Sequence, residues 1–127
     1  MGAVTTPTYF FDTYALHEIA VGSPNYRKYA HGISLVTTRM NLMELHYTLM
    51  RKYGKKAAER YYDELVEFVV EITDDIVKQA SECRLSLKKR KLSYIDCLGY
   101  VLARSMHIKF LTGDKEFADL ENVEYVK

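Results

Sequence analysis

The sequence predicts an α/β fold of three layers, α/β/α, with a central, mostly parallel sheet of four to five strands. Three observations carry this. Helix-patterned segments separate nearly every pair of strand-like runs, the alternation that crossover connections in a parallel sheet require. The strand-like runs are apolar without clean alternation, as strands covered on both faces are. And 127 residues, 48% hydrophobic and 28% charged, carry no internal repeat, linker or low-complexity tract, so one domain over residues 1–127 is expected.

Each element has a local reason. Residues 8–12 (Thr-Tyr-Phe-Phe-Asp) read as a short buried strand, and 13–21 as a helix that Gly22 ends. Ser23-Pro24 reads as a helix start, with Ser at the N-cap and Pro at the first helical position, opening a short helix that ends near His31-Gly32. Residues 33–37 are a second strand. Residues 39–53 are a helix with Leu42, Leu45, Leu49 and Tyr53 along one stripe, closed by Gly54. A helix over 55–69 places Tyr61, Tyr62, Leu65 and Val66 against Glu59, Asp63, Glu64 and Glu67. Residues 70–72 suggest a third, very short strand. Thr73 caps a helix to about Leu87, Lys88 to Lys91 form a basic loop, and Ser93 caps an apolar helix to about Met106. Strands at 108–112 and 123–126 complete the order βα(α)βααβααββ.

The bulk numbers exclude some functions. A net charge of +1 offers no global attraction to nucleic acid, although it permits a local acidic site with a basic rim. Cys83 and Cys97 show neither metal-ligand nor redox spacing, which fits free thiols in a reducing, cytoplasmic compartment. No apolar run approaches a membrane span. The start Met1-Gly2-Ala3-Val4-Thr5-Thr6 matches the N-myristoylation pattern, but strand-like sequence follows at once. His17, His31, His46 and His107 have no zinc spacing, and neither a P-loop nor a G-x-S-x-G is present.

Four acids stand out. Asp12 and Asp114 follow apolar strands, and Asp96 is the one charge in Tyr94 to Ala103. Carboxylates in apolar sequence are costly unless something positive meets them. In a parallel sheet, strand C-termini and helix N-termini can share the edge where ligands bind. A cluster there calls for a divalent cation, and the matching chemistry is phosphodiester cleavage. Taken alone, each acid has a plainer reading. Asp12 could cap the next helix, Asp96 stands third after Ser93 as in a capping box, and Asp114 in Thr-Gly-Asp-Lys could be a turn residue. Glu44 falls away from the Leu42, Leu45 and Leu49 stripe, so periodicity alone makes it solvated.

Four stretches bind these acids into a pattern. Phe10-Phe11-Asp12-Thr13 is a strand ending in an acid and a small hydroxyl residue. Asn41-Leu42-Met43-Glu44-Leu45 puts a glutamate on a helix. Leu92 to Ala103 carries Ser93 and Asp96, and Phe110-Leu111-Thr112-Gly113-Asp114-Lys115-Glu116-Phe117 ends a strand in an acid with a trailing aromatic. In this order and over almost the whole chain, they resemble the motifs of the PIN-domain ribonucleases, and within them the VapC-type toxins of prokaryotic toxin–antitoxin pairs. Gly99 departs mildly, since the family often has Ala at that close-packing position.

The resemblance implies a PIN-like domain acting as a Mg²⁺- or Mn²⁺-dependent endoribonuclease. Asp12, Glu44, Asp96 and Asp114 would be its catalytic and metal-binding residues. Asp12 and Asp96 would hold the first ion directly or through water, and Asp114 and Glu44 would complete the site. Cleavage in the family leaves a 3′-hydroxyl and a 5′-phosphate. Arg39, Arg51, Lys52, Lys88, Lys89, Arg90 and Lys91 are candidates for an RNA-backbone rim. The implied partners are an RNA substrate, a cognate antitoxin and a second copy of the chain. The helix at 55–69 and the first helix (Leu16, Ile19, Ala20) are candidate contact surfaces, unless these residues simply pack the core. The rival readings are a PIN nuclease of RNA processing or structured DNA, a phospho-receiver switch, and a non-catalytic binding module.

Overall fold

A computed structural model describes residues 6–127; the myristoylation pattern lies almost wholly outside them. Strand β1 (Thr8–Phe11) leads into α1 (Thr13–Ala20), a 3-10 turn over Pro24–Tyr29 and β2 (Ser34–Val36). The antiparallel helices α2 (Arg39–Tyr53) and α3 (Lys55–Leu65) turn on Gly54, whose φ of 95° suits glycine. Then come α4 (Asp74–Ser86), α5 (Tyr94–Ser105), β3 (Lys109–Thr112), a 3-10 turn at Lys115–Phe117 and β4 (Val123–Tyr125). The four strands are all parallel, in the order β2-β1-β3-β4.

The side-chain period of a strand makes the three layers. In β1, Phe10 faces one way and Phe11 the other, and their register partners Phe110 and Leu111 in β3 do the same. Phe10 and Phe110 stack with centroids 5.7 Å apart and pack with Val36 against Ile76 and Ala80 of α4 and Cys97, Tyr100 and Val101 of α5. Phe11 and Leu111 pack against Leu16 of α1, Leu42, Leu45 and Leu49 of α2, and Ala58 of α3. Both cysteines are buried and free. Among the described residues no helix is long and apolar enough to cross a membrane.

The helix starts follow their sequence signals. The side chains of Asp12, Thr38, Thr73 and Ser93 accept the backbone N–H groups of Ala15, Asn41, Ile76 and Asp96. Ser23 differs: it makes no side-chain cap bond, and the segment it opens winds as 3-10 helix. The helix expected to reach 69 ends at Leu65 and tightens into a 3-10 turn over Val66–Phe68. The strand expected at 70–72 does not form. Its neighbourhood contributes one parallel bridge, Thr37 to Val69, so the sheet has four strands and not five. Three residues that pair at a single point lack the ladder that would hold a strand.

Candidate active site

Strand order reverses between β1 and β3, because β1 connects outward to β2 on one side while β3 leads to β4 on the other. Crevices in open α/β sheets form at such a point, beyond the strand carboxyl ends. Asp12 follows β1 and Asp114 follows β3, two residues past its end. A cavity of about 330 Å³ opens there, lined by Asp12, Asp96 and Asp114 together with Thr13, Tyr14, Gly113, Lys115, Tyr125 and Lys127.

Asp12 is buried at 4% exposure and held from two sides. Its Oδ1 accepts the Ala15 N–H at 2.8 Å and its Oδ2 accepts the Thr112 hydroxyl at 2.5 Å. It is therefore a helix cap and a site residue at once. Burial pushes its pKa up to about 7; the two hydrogen bonds oppose this and the Asp96 and Asp114 charges add to it. With both oxygens engaged and almost no exposure, Asp12 is a poor phospho-acceptor, against the receiver reading.

Asp96 also does two things. Its Oδ2 accepts the Ser93 N–H at 2.8 Å while Ser93 Oγ accepts the Asp96 N–H at 3.0 Å, a complete capping box. The cap occupies one carboxylate oxygen and the side chain still lines the cavity. Burial raises its pKa, its bonds to Ser93 lower it, and the Asp114 charge raises it further. Asp114 is half-buried; its Oδ1 accepts the Glu116 N–H at 2.9 Å and its own N–H donates to Thr112 Oγ1 at 3.0 Å. The Thr112 hydroxyl thus ties the two strand-end acids together.

Glu44 is not solvated, as periodicity suggested, but half-buried, and Thr13 Oγ1 donates to its Oε1 at 2.6 Å. Burial raises its pKa, the Thr13 bond lowers it, and the Asp96 charge raises it. It joins the cluster through Thr13 and does not line the cavity itself. Asn41, which sequence reading left without a role, is buried and completes the link: its Nδ2 donates to Thr13 Oγ1 at 3.1 Å while Thr38 donates to its Oδ1 at 2.6 Å. An amide on an apolar helix stripe was the available signal.

The basic candidates are placed differently from the expectation. None of Arg39, Arg51, Lys52, Lys88, Lys89, Arg90 and Lys91 lines the acidic cavity; Lys115 and Lys127 do. Arg90 is spent on Asp119, with bonds of 2.7 and 3.0 Å, and on the Glu116 carbonyl at 2.8 Å. Arg51 lies over the Tyr47 ring and Lys52 Nζ is 3.3 Å from His17 Nε2. Both sit at the far end of α2, about 10 Å along the axis from Glu44. Arg39, Lys88, Lys89 and Lys91 remain exposed. Of the proposed contact surfaces, Leu16 and Ala58 are core at 1% and 0% exposure, whereas α2 exposes Met43, Tyr47, Met50 and Tyr53.

The donor set is hard oxygen throughout, which suits Mg²⁺ or Mn²⁺ over softer ions. Among the described residues, no three Asp, Glu, His or Cys side chains form a group that could hold an ion by themselves. The arrangement instead fits a cation that keeps several waters and touches one or two carboxylates, as Mg²⁺ does. Asp12 and Asp96, which both line the cavity, could hold it.

Comparison with known proteins bears on the fold and the family. The family model described as the PIN domain matches residues 9–123. No curated protein matches the chain. Among solved structures, the chain is similar to Mycobacterium tuberculosis VapC20, a sarcin–ricin loop cleaving toxin. The TM-score is 0.78 at 21% identity, over 94% of this chain and 99% of that one. A toxin–antitoxin complex from Klebsiella pneumoniae gives 0.73 at 19% identity, covering 91% and 95%. VapBC2 from Rickettsia felis, bound to a promoter DNA fragment, gives 0.71 at 17%, covering 94% and 99%. At these identities the likeness is one of fold. The family model, spanning both strand-end acids, Glu44 and Asp96, goes further: the chain belongs to the PIN domain family.

Proposed function

We propose that the chain is a Mg²⁺- or Mn²⁺-dependent endoribonuclease, and that it is the toxin of a toxin–antitoxin pair. Family membership supports the nuclease. The observation that carries the site is the meeting of Asp12, Asp96 and Asp114 around one cavity at the β1/β3 switch point, the first two made harder to ionise chiefly by burial and further by their acidic neighbours. A divalent cation would offset both effects. The fold shared with VapC20 and with toxin–antitoxin complexes supports RNA as substrate and an antitoxin as partner.

A bound divalent ion would supply Lewis acidity toward water and the scissile phosphate. The chain's own residues do the rest. Ala15 N–H and the Thr112 hydroxyl hold Asp12 in one rotamer facing the cavity. The α5 cap fixes Asp96, and Thr112 and Glu116 fix Asp114. Glu44, bonded to Thr13, stands behind them and completes the acidic cluster through that hydroxyl. Positioning of this kind lowers the barrier by removing disorder before reaction. The exposed α2 side chains Met43, Tyr47 and Tyr53 are the surface offered to an antitoxin or a second copy of the chain. Location in the cytoplasm belongs to the same proposal.

The test is cleavage of an end-labelled RNA panel by purified protein, with Mg²⁺, with Mn²⁺ and with EDTA, beside Asp96→Asn. Asparagine can still accept the Ser93 N–H, so the cap and the fold should survive. The expected result is cleavage that needs the metal and disappears in the variant. Metal-dependent cleavage retained by folded Asp96→Asn would reject the site assignment.

A further inference from the structure

The acids explain how a phosphodiester could be attacked, but not how a strand is held over them. The cavity wall beside them is aromatic. Tyr14, in the first turn of α1, and Tyr125, at the end of β4, both line it and are 36% and 37% exposed. Tyr14 is not a loose surface side chain. Its ring covers Gly113 so closely that a Cβ there would collide with it. The Tyr26 ring lies beside it, tilted by 42° with centroids 6.2 Å apart; Tyr26 is fully buried and its hydroxyl donates to the Val126 carbonyl at 2.5 Å. An aromatic surface set in advance loses little freedom when a ligand lands on it.

We propose that Tyr14 is a stacking platform for an unpaired nucleobase of the substrate strand, with Tyr125 flanking it and Lys115 and Lys127 meeting the adjoining phosphates. This rests on the ribonuclease reading above. A base inside a duplex has both faces covered by its neighbours, so only an unpaired, splayed base can use such a platform. The cavity's roughly 330 Å³ stands at the small end of ligand pockets, about 300–1,000 Å³, and suits one base. Three carboxylates would repel a phosphate backbone, and the two lysines are the cations that line this cavity. The platform therefore makes the site select single-stranded or looped positions.

The test uses a 2′-O-methyl single-stranded oligonucleotide carrying 2-aminopurine, which cannot be cleaved, and the same strand in a duplex, both with Mg²⁺. Wild type should bind the single strand and quench the 2-aminopurine, and bind the duplex more weakly. Tyr14→Leu, which still covers Gly113, should lose quenching and about tenfold in affinity. Tyr14→Phe should keep both within about threefold. On cleavable RNA, Tyr14→Leu should raise KM with kcat little changed. Circular dichroism and the unfolding midpoint establish that each variant is folded. The proposal is overturned if folded Tyr14→Leu binds and quenches as wild type does, or if Tyr14→Phe is as impaired as Tyr14→Leu. Cleavage by wild type with an unaffected Tyr14→Leu would reject the platform and leave the nuclease. Quenching that depends on Tyr14 without any cleavage would do the reverse. Neither binding nor cleavage would reject both.

Discussion

At the scale of single residues, the site concentrates its cost on Asp12. Its folded pKa of about 7 lies above the unfolded value of 3.8, so the folded chain holds a proton between these that the unfolded chain releases. Its contribution to stability is fully present below pH 4 and is lost as pH rises through about 7. Glu44 and Asp96, also raised, act in the same direction. In EDTA, the unfolding midpoint should therefore fall between pH 5 and pH 8, and Asp12→Asn should flatten that fall; calorimetry at the two pH values measures it. Thr13 gives a second prediction. Thr13→Val removes the donor to Glu44 and the acceptor of Asn41, and should lower cleavage about 10- to 100-fold. Thr13→Ser, which keeps the hydroxyl, should stay within a few-fold. Equal losses in both variants would refute the tether. Asp12, Asp96 and Asp114 were legible in the sequence because apolar flanks make an acid conspicuous. Glu44 was legible only through family resemblance, since its partner Thr13 is on another helix. Lys115, Lys127, Tyr14 and Tyr125 were missed because each is an ordinary surface residue until the strands bring them to one cavity.

At the scale of elements, the helix signals were the most readable. Capping residues act within three positions, so they need no tertiary information. The short strand expected at 70–72 failed for the opposite reason: a strand exists only when a neighbour pairs with it, and Thr37 pairs there once. Gly99 shows what packing adds to pattern. A Cβ on this residue of α5 would lie 2.7 Å from Phe10 Cε1 and 3.0 Å from Phe110 Cε1, both in fully buried rings. The departure from the family's frequent alanine is thus matched to two phenylalanines on the sheet. Gly99→Ala should destabilise the fold by about 1–3 kcal/mol, the usual cost of overpacking, despite alanine's higher helix propensity. A denaturant midpoint equal to wild type would show that the rings yield freely.

At the scale of the whole molecule, the sheet order and the acids explain each other. The order β2-β1-β3-β4 sets the ends of β1 and β3 side by side, and α5 delivers Asp96 to the same edge. Metal binding should accordingly be a property of the folded chain. Mg²⁺ or Mn²⁺ should raise the unfolding midpoint, more at pH 8 than at pH 5 because protonated carboxylates are poor ligands. EDTA should abolish the shift, and Asp96→Asn should shrink it; a full shift in that variant would move the ion elsewhere. The sequence by itself determined the fold class, most of the helices with the caps at Asp12, Thr73 and Ser93, and the prominence of three of the four acids. These depend on apolar periodicity and on contacts a few residues apart. The tertiary structure decided which strands are neighbours, how many exist, where Glu44 points and which cations and rings border the acids. Those depend on residues as far apart as Asp12 and Thr112, whose contact no local pattern encodes.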